Sequence, residues 1–196
     1  MRFVTPGMLV VAIMLQTACA DSAGVVQPRA PTAGDRAVAR SVVANGGGGD
    51  VRRIEMLDAC DPASFDAVIG AGTCTRSGGM TFDQFIAELT THGEVGAWRF
   101  APSNVEARVG QTLLAINRGG EVHTFTEVRR FGGGIVPSLN QLSGNPVVAQ
   151  ECNQLEADDF VPPGGTYRDE VGEAGTELYQ CCIHPWMRAV VRARGS

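Results

Sequence analysis

Hydrophobic residues at helical spacing are concentrated between residues 61 and 89. Asp61-Pro62 suits the start of a helix, because aspartate caps an N-terminus and proline fits the first turn. Thr81 and Gln84 have the spacing of a capping box at the start of a second helical run. The apolar residues that would share one face of this run are Met80, Phe82, Phe85, Ile86 and Leu89. We therefore predict a helical region, residues 51–96, whose apolar face serves packing.

Beyond residue 96 the hydrophobic period shortens to that of β-strands. Short runs are separated by turns that contain glycine, which is the pattern of a β-sandwich. The predicted strands are residues 98–100, 104–109, 112–117, 123–128 and 187–192. Residues 97–196 are thus predicted to be all-β, a Greek-key β-sandwich of about 100 residues, which is enough for one core. The long stretch 129–163 is expected to include a helix-bearing insertion.

The first twenty residues have the pattern of an export signal. Arg2 supplies a positive start, and an apolar run too short to span a bilayer leads to the small residues Ala18-Cys19-Ala20. We predict a signal peptide over residues 1–20, either cleaved after that motif or processed with lipidation of Cys19. Residues 21–50 are predicted to be a flexible linker. The protein is therefore expected in the periplasm or cell envelope, with membrane attachment only through a lipid on Cys19.

Charge and composition exclude a nucleic-acid partner. All 16 basic residues are arginine, the formal net charge is −5, and the sequence has no basic block. Nucleic-acid binding proteins concentrate positive charge on one face, which this composition does not favour.

A thiol, an imidazole and a thioether follow one another at steps of three residues in Cys181-x-x-His184-x-x-Met187, and His123 adds a second imidazole. Two imidazoles and a thiolate in a plane, with a weak axial thioether, suit both Cu(I) and Cu(II). Such a site passes one electron with little rearrangement. The alternative is that the Cys181-x-x-His184 pair is half of a zinc site. Zinc usually needs a second close pair of ligands, however, and His92 is the only further histidine in the sequence. Three histidines are too few for a multicopper centre.

These segments resemble the cupredoxins, the type 1 blue copper proteins, and within them the plastocyanin and amicyanin-like branch. Residues 117–126 are similar to the segment of the first ligand, with an asparagine six residues before the histidine. Residues 164–167 and 174–179 are similar to the turn and strand that lead to the cysteine. The motif from Cys181 to Met187 is similar to the short ligand loop. The resemblance covers residues 97–196 and does not extend to the first half of the chain.

The resemblance implies one type 1 copper ion. The implied equatorial ligands are His123, Cys181 and His184. Met187 would be the weak axial ligand, unless it only fills the core. Asn117 would help to hold the ligand loops together. Because the second histidine of the family lies nearest the surface in an apolar patch, Trp186 is the candidate docking residue for transient redox partner proteins, the alternative being a core tryptophan.

Four cysteines remain once the signal and copper cysteines are assigned, and an even number suits disulfides in an oxidising compartment. Cys60 with Cys74 closes a short local loop, which leaves Cys152 with Cys182. The second bridge would tie the 129–163 stretch to the residue beside the copper thiolate and rigidify the site. The alternative is that Cys182 is a free buried thiol. Neighbouring residues of a strand face opposite sides, so one cysteine of the adjacent pair can face copper, and the spacing favours Cys181.

The leading hypothesis is an exported, non-enzymatic copper protein that carries single electrons between envelope redox partners. One alternative is a periplasmic protein for copper storage or delivery that uses the same ligands. Methionine or histidine clusters would favour it, and the sequence has none near the ligands. The other alternative is a non-redox sandwich domain for assembly or adhesion, with the helical region as its interaction surface.

Overall fold

Eight strands form two four-stranded sheets in the computed structural model, which describes residues 51–195. The strands are β1 (Val51–Leu57), β2 (Arg99–Ala101), β3 (Asn104–Arg108), β4 (Thr112–Asn117), β5 (Thr126–Val128), β6 (Thr166–Glu170), β7 (Gly175–Gln180) and β8 (Arg188–Arg194). One sheet has the order β2-β1-β4-β6 and the other β3-β8-β7-β5. The predicted all-β sandwich is confirmed. The predicted signal peptide, linker and lipidation site lie outside the described residues.

The second sheet brings the segments of the predicted ligands together. β7 and β8 are antiparallel neighbours, with Gln180 opposite Arg188, so the chain between them forms a tight loop. β5 pairs antiparallel with the other edge of β7, and Thr126 lies opposite Gln180. The segment before β5 therefore ends beside the start of that loop.

Strand β1 is the main departure from the sequence prediction. Residues 51–96 were expected to be helical, but β1 pairs antiparallel with β2 and parallel with β4 in the first sheet. Only Ile54 and Met56 of the strand are fully buried, and the neighbouring arginines hide this short alternation. The strand is held by partners on both sides, which local sequence patterns do not reveal.

The helical region contains two helices, α1 (Pro62–Val68) and α2 (Phe82–His92). The Asp61 carboxylate caps α1 by accepting a 2.9 Å hydrogen bond from the backbone N–H three residues further on. Thr81 and Gln84 form both bonds of the predicted capping box at α2. The predicted caps are confirmed, although the chain between the two helices is irregular. No helix in residues 51–195 combines the length and apolar character needed to cross a membrane.

The stretch between the candidate ligands is largely irregular and carries short helices. It contains α3 (Pro137–Leu142) and two 3-10 turns (Gln150–Asn153 and Ala157–Asp159), so the expected helix-bearing insertion is confirmed. The strand predicted over residues 123–128 is shorter than expected, because only Thr126–Val128 pairs continuously. His123 instead forms an isolated bridge with Val161.

Both predicted disulfides are present. Cys60 bonds to Cys74, and Cys152 bonds to Cys182, with sequence separations of 14 and 30 residues. Cys181 is the free cysteine among the described residues, and it is buried. A free thiol at Cys182 is therefore ruled out, and the adjacent cysteines face different clusters of the core as the strand geometry predicts.

Candidate metal centre

Three of the predicted ligand side chains converge at one end of the second sheet. The Cys181 Sγ atom lies 3.9 Å from His123 Nδ1 and 3.8 Å from His184 Nδ1. All three donor atoms lie within 4.8 Å of one another, and all three side chains are buried. The sulfur and the two nitrogens are therefore close enough to bind a single metal ion.

Backbone hydrogen bonds fix the loop that carries two of these ligands. Cys181 N–H donates to Met187 O at 3.0 Å, and Met187 N–H donates to His184 O at 2.9 Å. His123 is held from the other side by reciprocal bonds with Val161, of 3.1 and 2.8 Å. The ligands are thus positioned by main-chain contacts within the hairpin loop and across the isolated bridge.

Met187 lies in the same closed loop and is fully buried. Its backbone contacts Cys181 and His184, the two ligands that share the loop. Both expected roles, axial ligand and core filler, require a buried side chain. The axial role stays a prediction.

The Cys181 sulfur accepts two backbone hydrogen bonds, from the N–H groups of Thr124 and His184, each at 3.4 Å. Burial acts to raise the pKa of Cys181, but hydrogen bonds and charge from His123 and His184 outweigh it and hold the pKa well below that of an ordinary thiol. The two imidazoles thus favour the thiolate form of Cys181. Thiolate is the form that binds metals, and metal binding displaces the imidazole protons.

Two buried carboxylates that the sequence did not reveal lie behind the imidazoles. His123 Nε2 donates to Asp58 Oδ2 at 2.9 Å, and the two side chains are 0% and 1% exposed. His184 Nε2 lies 3.7 Å from Glu121 Oε2. Burial, the largest single effect, acts to lower the pKa of His123, but hydrogen bonds and charge from Asp58 and Cys181 together outweigh it and raise the pKa to about 9. Asp58 follows β1, a strand missed from the sequence, so no local pattern marked it.

Asn117 connects the two segments that hold the first imidazole. Its Nδ2 donates to Glu121 O at 2.7 Å and to Val161 O at 2.8 Å, and its Oδ1 accepts from Gly119 N–H at 2.9 Å. The side chain is fully buried. Asn117 therefore joins the two segments beside His123, and its role in holding both ligand loops together stays a prediction.

Two indoles cover the second imidazole, and a phenylalanine of α2 packs on both of them. The His184 ring centroid lies 5.6 Å from that of Trp186 and 6.5 Å from that of Trp98. Phe85 of α2 packs against both indoles, with centroids 5.9 and 4.8 Å away. His184 is consequently only 3% exposed, and the partly buried Trp186 packs against the main core. The expected role of the α2 face in packing is confirmed, while docking by Trp186 stays a prediction.

The donor set fits copper. A thiolate and two imidazoles favour copper or zinc over the hard cations, and a neighbouring thioether is a typical weak fourth donor for copper. The buried surroundings and the hydrogen bonds to the sulfur are the features that tune a copper–thiolate site.

No protein-family model matches the chain, and no curated protein matches it. Among solved structures, a purple cupredoxin from Nitrosopumilus maritimus is 16% identical, with coverage of 72% of this chain and 98% of that one and a TM-score of 0.41. The oxidized form of plastocyanin from Dryopteris crassirhizoma is 13% identical, with coverage of 73% and 100% and a TM-score of 0.39. A Cu(I) amicyanin variant is 22% identical, with coverage of 49% and 73% and a TM-score of 0.33. The cupredoxins, which the ligand segments resemble, are thus also the solved structures to which this fold is similar.

Proposed function

We propose that this chain is an exported copper protein that carries single electrons between redox partners and is not an enzyme. The observation that carries the proposal is the buried cluster in which the Cys181 sulfur faces two imidazole Nδ1 atoms at 3.9 and 3.8 Å. One copper ion would be held by His123, Cys181 and His184, with Met187 on the axis, and would supply a one-electron couple.

The surroundings of the cluster support electron transfer because they restrict movement of the ligands. The loop from Cys181 to Met187 is closed by backbone hydrogen bonds. The next residue, Cys182, is bonded to Cys152 and also donates its N–H to the Thr124 hydroxyl at 2.8 Å. A ligand set that is held in place reorganises little when the metal changes its charge.

Burial argues against a reaction on an external substrate. Cys181, His123 and Asp58 have the order of a nucleophile, a base and an orienting carboxylate. However, Cys181 and His123 are both 0% exposed, so a substrate has no route to the sulfur in this conformation. An electron does not need such contact.

The two disulfides support a location in an oxidising compartment, the periplasm or cell envelope. We propose that the partners are redox proteins that bind transiently, with Trp186 as part of the docking surface and with any membrane attachment through a lipid on Cys19.

The test is to add Cu(II) to the mature protein and record visible absorption and electron paramagnetic resonance spectra before and after ascorbate. We expect an intense thiolate-to-copper band with narrow copper hyperfine splitting, bleached reversibly by the reductant. Cys181→Ser should abolish the band, because it removes the only thiolate of the cluster.

Two matched controls sharpen this test. The double change Cys152→Ala and Cys182→Ala removes the neighbouring sulfur without leaving a free thiol, and the band should persist. His92→Gln changes an exposed histidine on α2 and should also leave the band, whereas His123→Gln should not. A weakly coloured complex in the unmodified protein would contradict the electron carrier and favour copper delivery.

A further inference from the structure

We propose that Asp58 and Glu121 are positioning residues of the copper centre, each placing a buried carboxylate behind one ligand imidazole and together favouring the oxidised ion. This inference rests on the proposed function. Neither residue was predicted from the sequence to support the site, and the two are neighbours, since Glu121 N–H donates to Asp58 Oδ2 at 3.0 Å.

Asp58 is held by its own network of donors. Its Oδ1 accepts from Gly120 N–H at 2.8 Å and from Cys60 N–H at 3.4 Å, and its Oδ2 accepts from Glu121 N–H at 3.0 Å. The backbone at Gly119 also approaches closely, since a Cβ there would lie 1.9 Å from Asp58 Oδ2. The carboxylate therefore occupies one position, 2.9 Å from His123 Nε2.

This position determines which imidazole nitrogen is free for a metal. A histidine that donates through Nε2 presents the lone pair of Nδ1, and in His123 that atom faces the Cys181 sulfur. A carboxylate on the remote nitrogen also makes the imidazole a stronger donor. Asp58 thus both orients His123 and strengthens it as a ligand.

Glu121 has a similar but weaker relation to His184. Its Oε2 lies 3.7 Å from His184 Nε2, which is longer than a normal hydrogen bond, so Glu121 acts on this imidazole more weakly than Asp58 acts on His123. The same oxygen accepts a 2.6 Å hydrogen bond from Trp98 Nε1. The carboxylate is therefore fixed by the aromatic cover and does not depend on the imidazole for its position.

Buried charge explains the preference for the oxidised ion. Asp58 is 1% exposed at its side chain, so water and salt screen its charge little. A nearby negative charge stabilises Cu(II) more than Cu(I), because Cu(II) carries one more positive charge. The consequence is a lower reduction potential than the same ligands would have with neutral partners.

The experiment compares Asp58→Asn and Glu121→Gln with Glu55→Gln in the copper-loaded protein, using spectroelectrochemistry. Glu55 lies on β1 and is half exposed, so its change removes the same charge from the solvent side of the strand. We expect Asp58→Asn to weaken Cu(II) binding relative to Cu(I) by about 10-fold or more, a rise in potential of about 59 mV per tenfold. Glu121→Gln should give a smaller rise, and Glu55→Gln almost none.

Nuclear magnetic resonance of the diamagnetic Cu(I) form gives a second readout that needs no variant. The His123 Nε2–H proton should exchange slowly with solvent, and the carboxylate should change its chemical shift. This measurement tests the contact with Asp58 even if the Asp58→Asn variant does not fold. A fast-exchanging proton, or a potential in Asp58→Asn equal to that of the Glu55→Gln control, would overturn the inference. A missing thiolate band in the unmodified protein would instead contradict the proposed function itself.

Discussion

Removal of the Cys152–Cys182 disulfide should lower stability substantially while leaving the candidate metal ligands in place. The bond closes a loop with a separation of 30 residues, and it lies one residue from the candidate thiolate. In the chain-entropy model, opening such a loop costs about 3.6 kcal/mol of unfolding free energy at 25 °C. The Cys60–Cys74 bond, with a separation of 14 residues, gives about 3.0 kcal/mol in the same model.

Both sulfurs are buried, so replacement by alanine also leaves a small cavity. The double alanine variant should therefore lose at least about 3.6 kcal/mol. The ligand strand keeps other anchors, since Cys182 O accepts from Ile135 N–H at 2.7 Å and Cys182 N–H donates to Thr124. We accordingly expect the thiolate band to survive the loss of the disulfide.

The assay is urea unfolding of the copper-free protein, monitored by tryptophan fluorescence, beside the visible spectrum of the copper-loaded form. The corresponding Cys60→Ala and Cys74→Ala variant is the control for loop length. The dependence on urea should steepen in both variants, because the denatured chain expands without its cross-link. A loss below about 1 kcal/mol, or a loss of the band with stability retained, would refute this reasoning.

Three further changes test other contacts of the structure. Gly134→Ala should destabilise the protein by about 2 kcal/mol or more in thermal unfolding, because the added Cβ would lie 1.9 Å from Cys182 O. The control is Gly172→Ala, whose Cβ would meet no atom within 4 Å and which should be neutral or slightly stabilising. Asn117→Ala removes three hydrogen bonds to buried backbone groups, of which Val161 O keeps its bond from His123 N–H, and should cost about 3 kcal/mol or more in urea unfolding; a cost near zero would contradict its role. Burial, with help from nearby carboxylates, raises the pKa of Glu177 above its ordinary value of 4.5, so this group reduces the unfolding free energy as the pH rises above that value. Glu177→Gln should remove this decline in unfolding free energy with pH. Equal pH profiles of stability in the two proteins would contradict the role of Glu177.

The parts of the molecule that the sequence predicted are those specified by local patterns. The candidate ligand loop is one hairpin, so the spacing of Cys181, His184 and Met187 is enough to predict that these residues share a loop. The bounds of β4 (Thr112–Asn117) and the caps of the two helices likewise follow from adjacent residues. Each of these features is complete within about ten residues of chain.

The parts that escaped prediction depend on residues far apart in the chain. Asp58 and His123 are separated by 65 positions, and Trp98 and Glu121 by 23. Strand β1 alternates too briefly to be recognised without its two neighbours. A carboxylate in an unrecognised strand gives no sign that it will face an imidazole, because that contact is created by the sheet.

Strand β1 and the helical region therefore both support the candidate metal centre. β1 lies inside the first sheet and leads directly to Asp58, which binds His123 and the backbone of Gly120. The region is joined to the same loop again where Thr75 N–H donates to Gly120 O at 2.9 Å. At the other imidazole, the indoles of Trp98 and Trp186 cover His184, and Phe85 of α2 packs on both indoles. In the proposed electron carrier, a redox partner that approaches His184 would meet aromatic side chains before the imidazole, so substitutions that enlarge or remove the aromatic cover should change the rate of electron exchange without changing the candidate ligands.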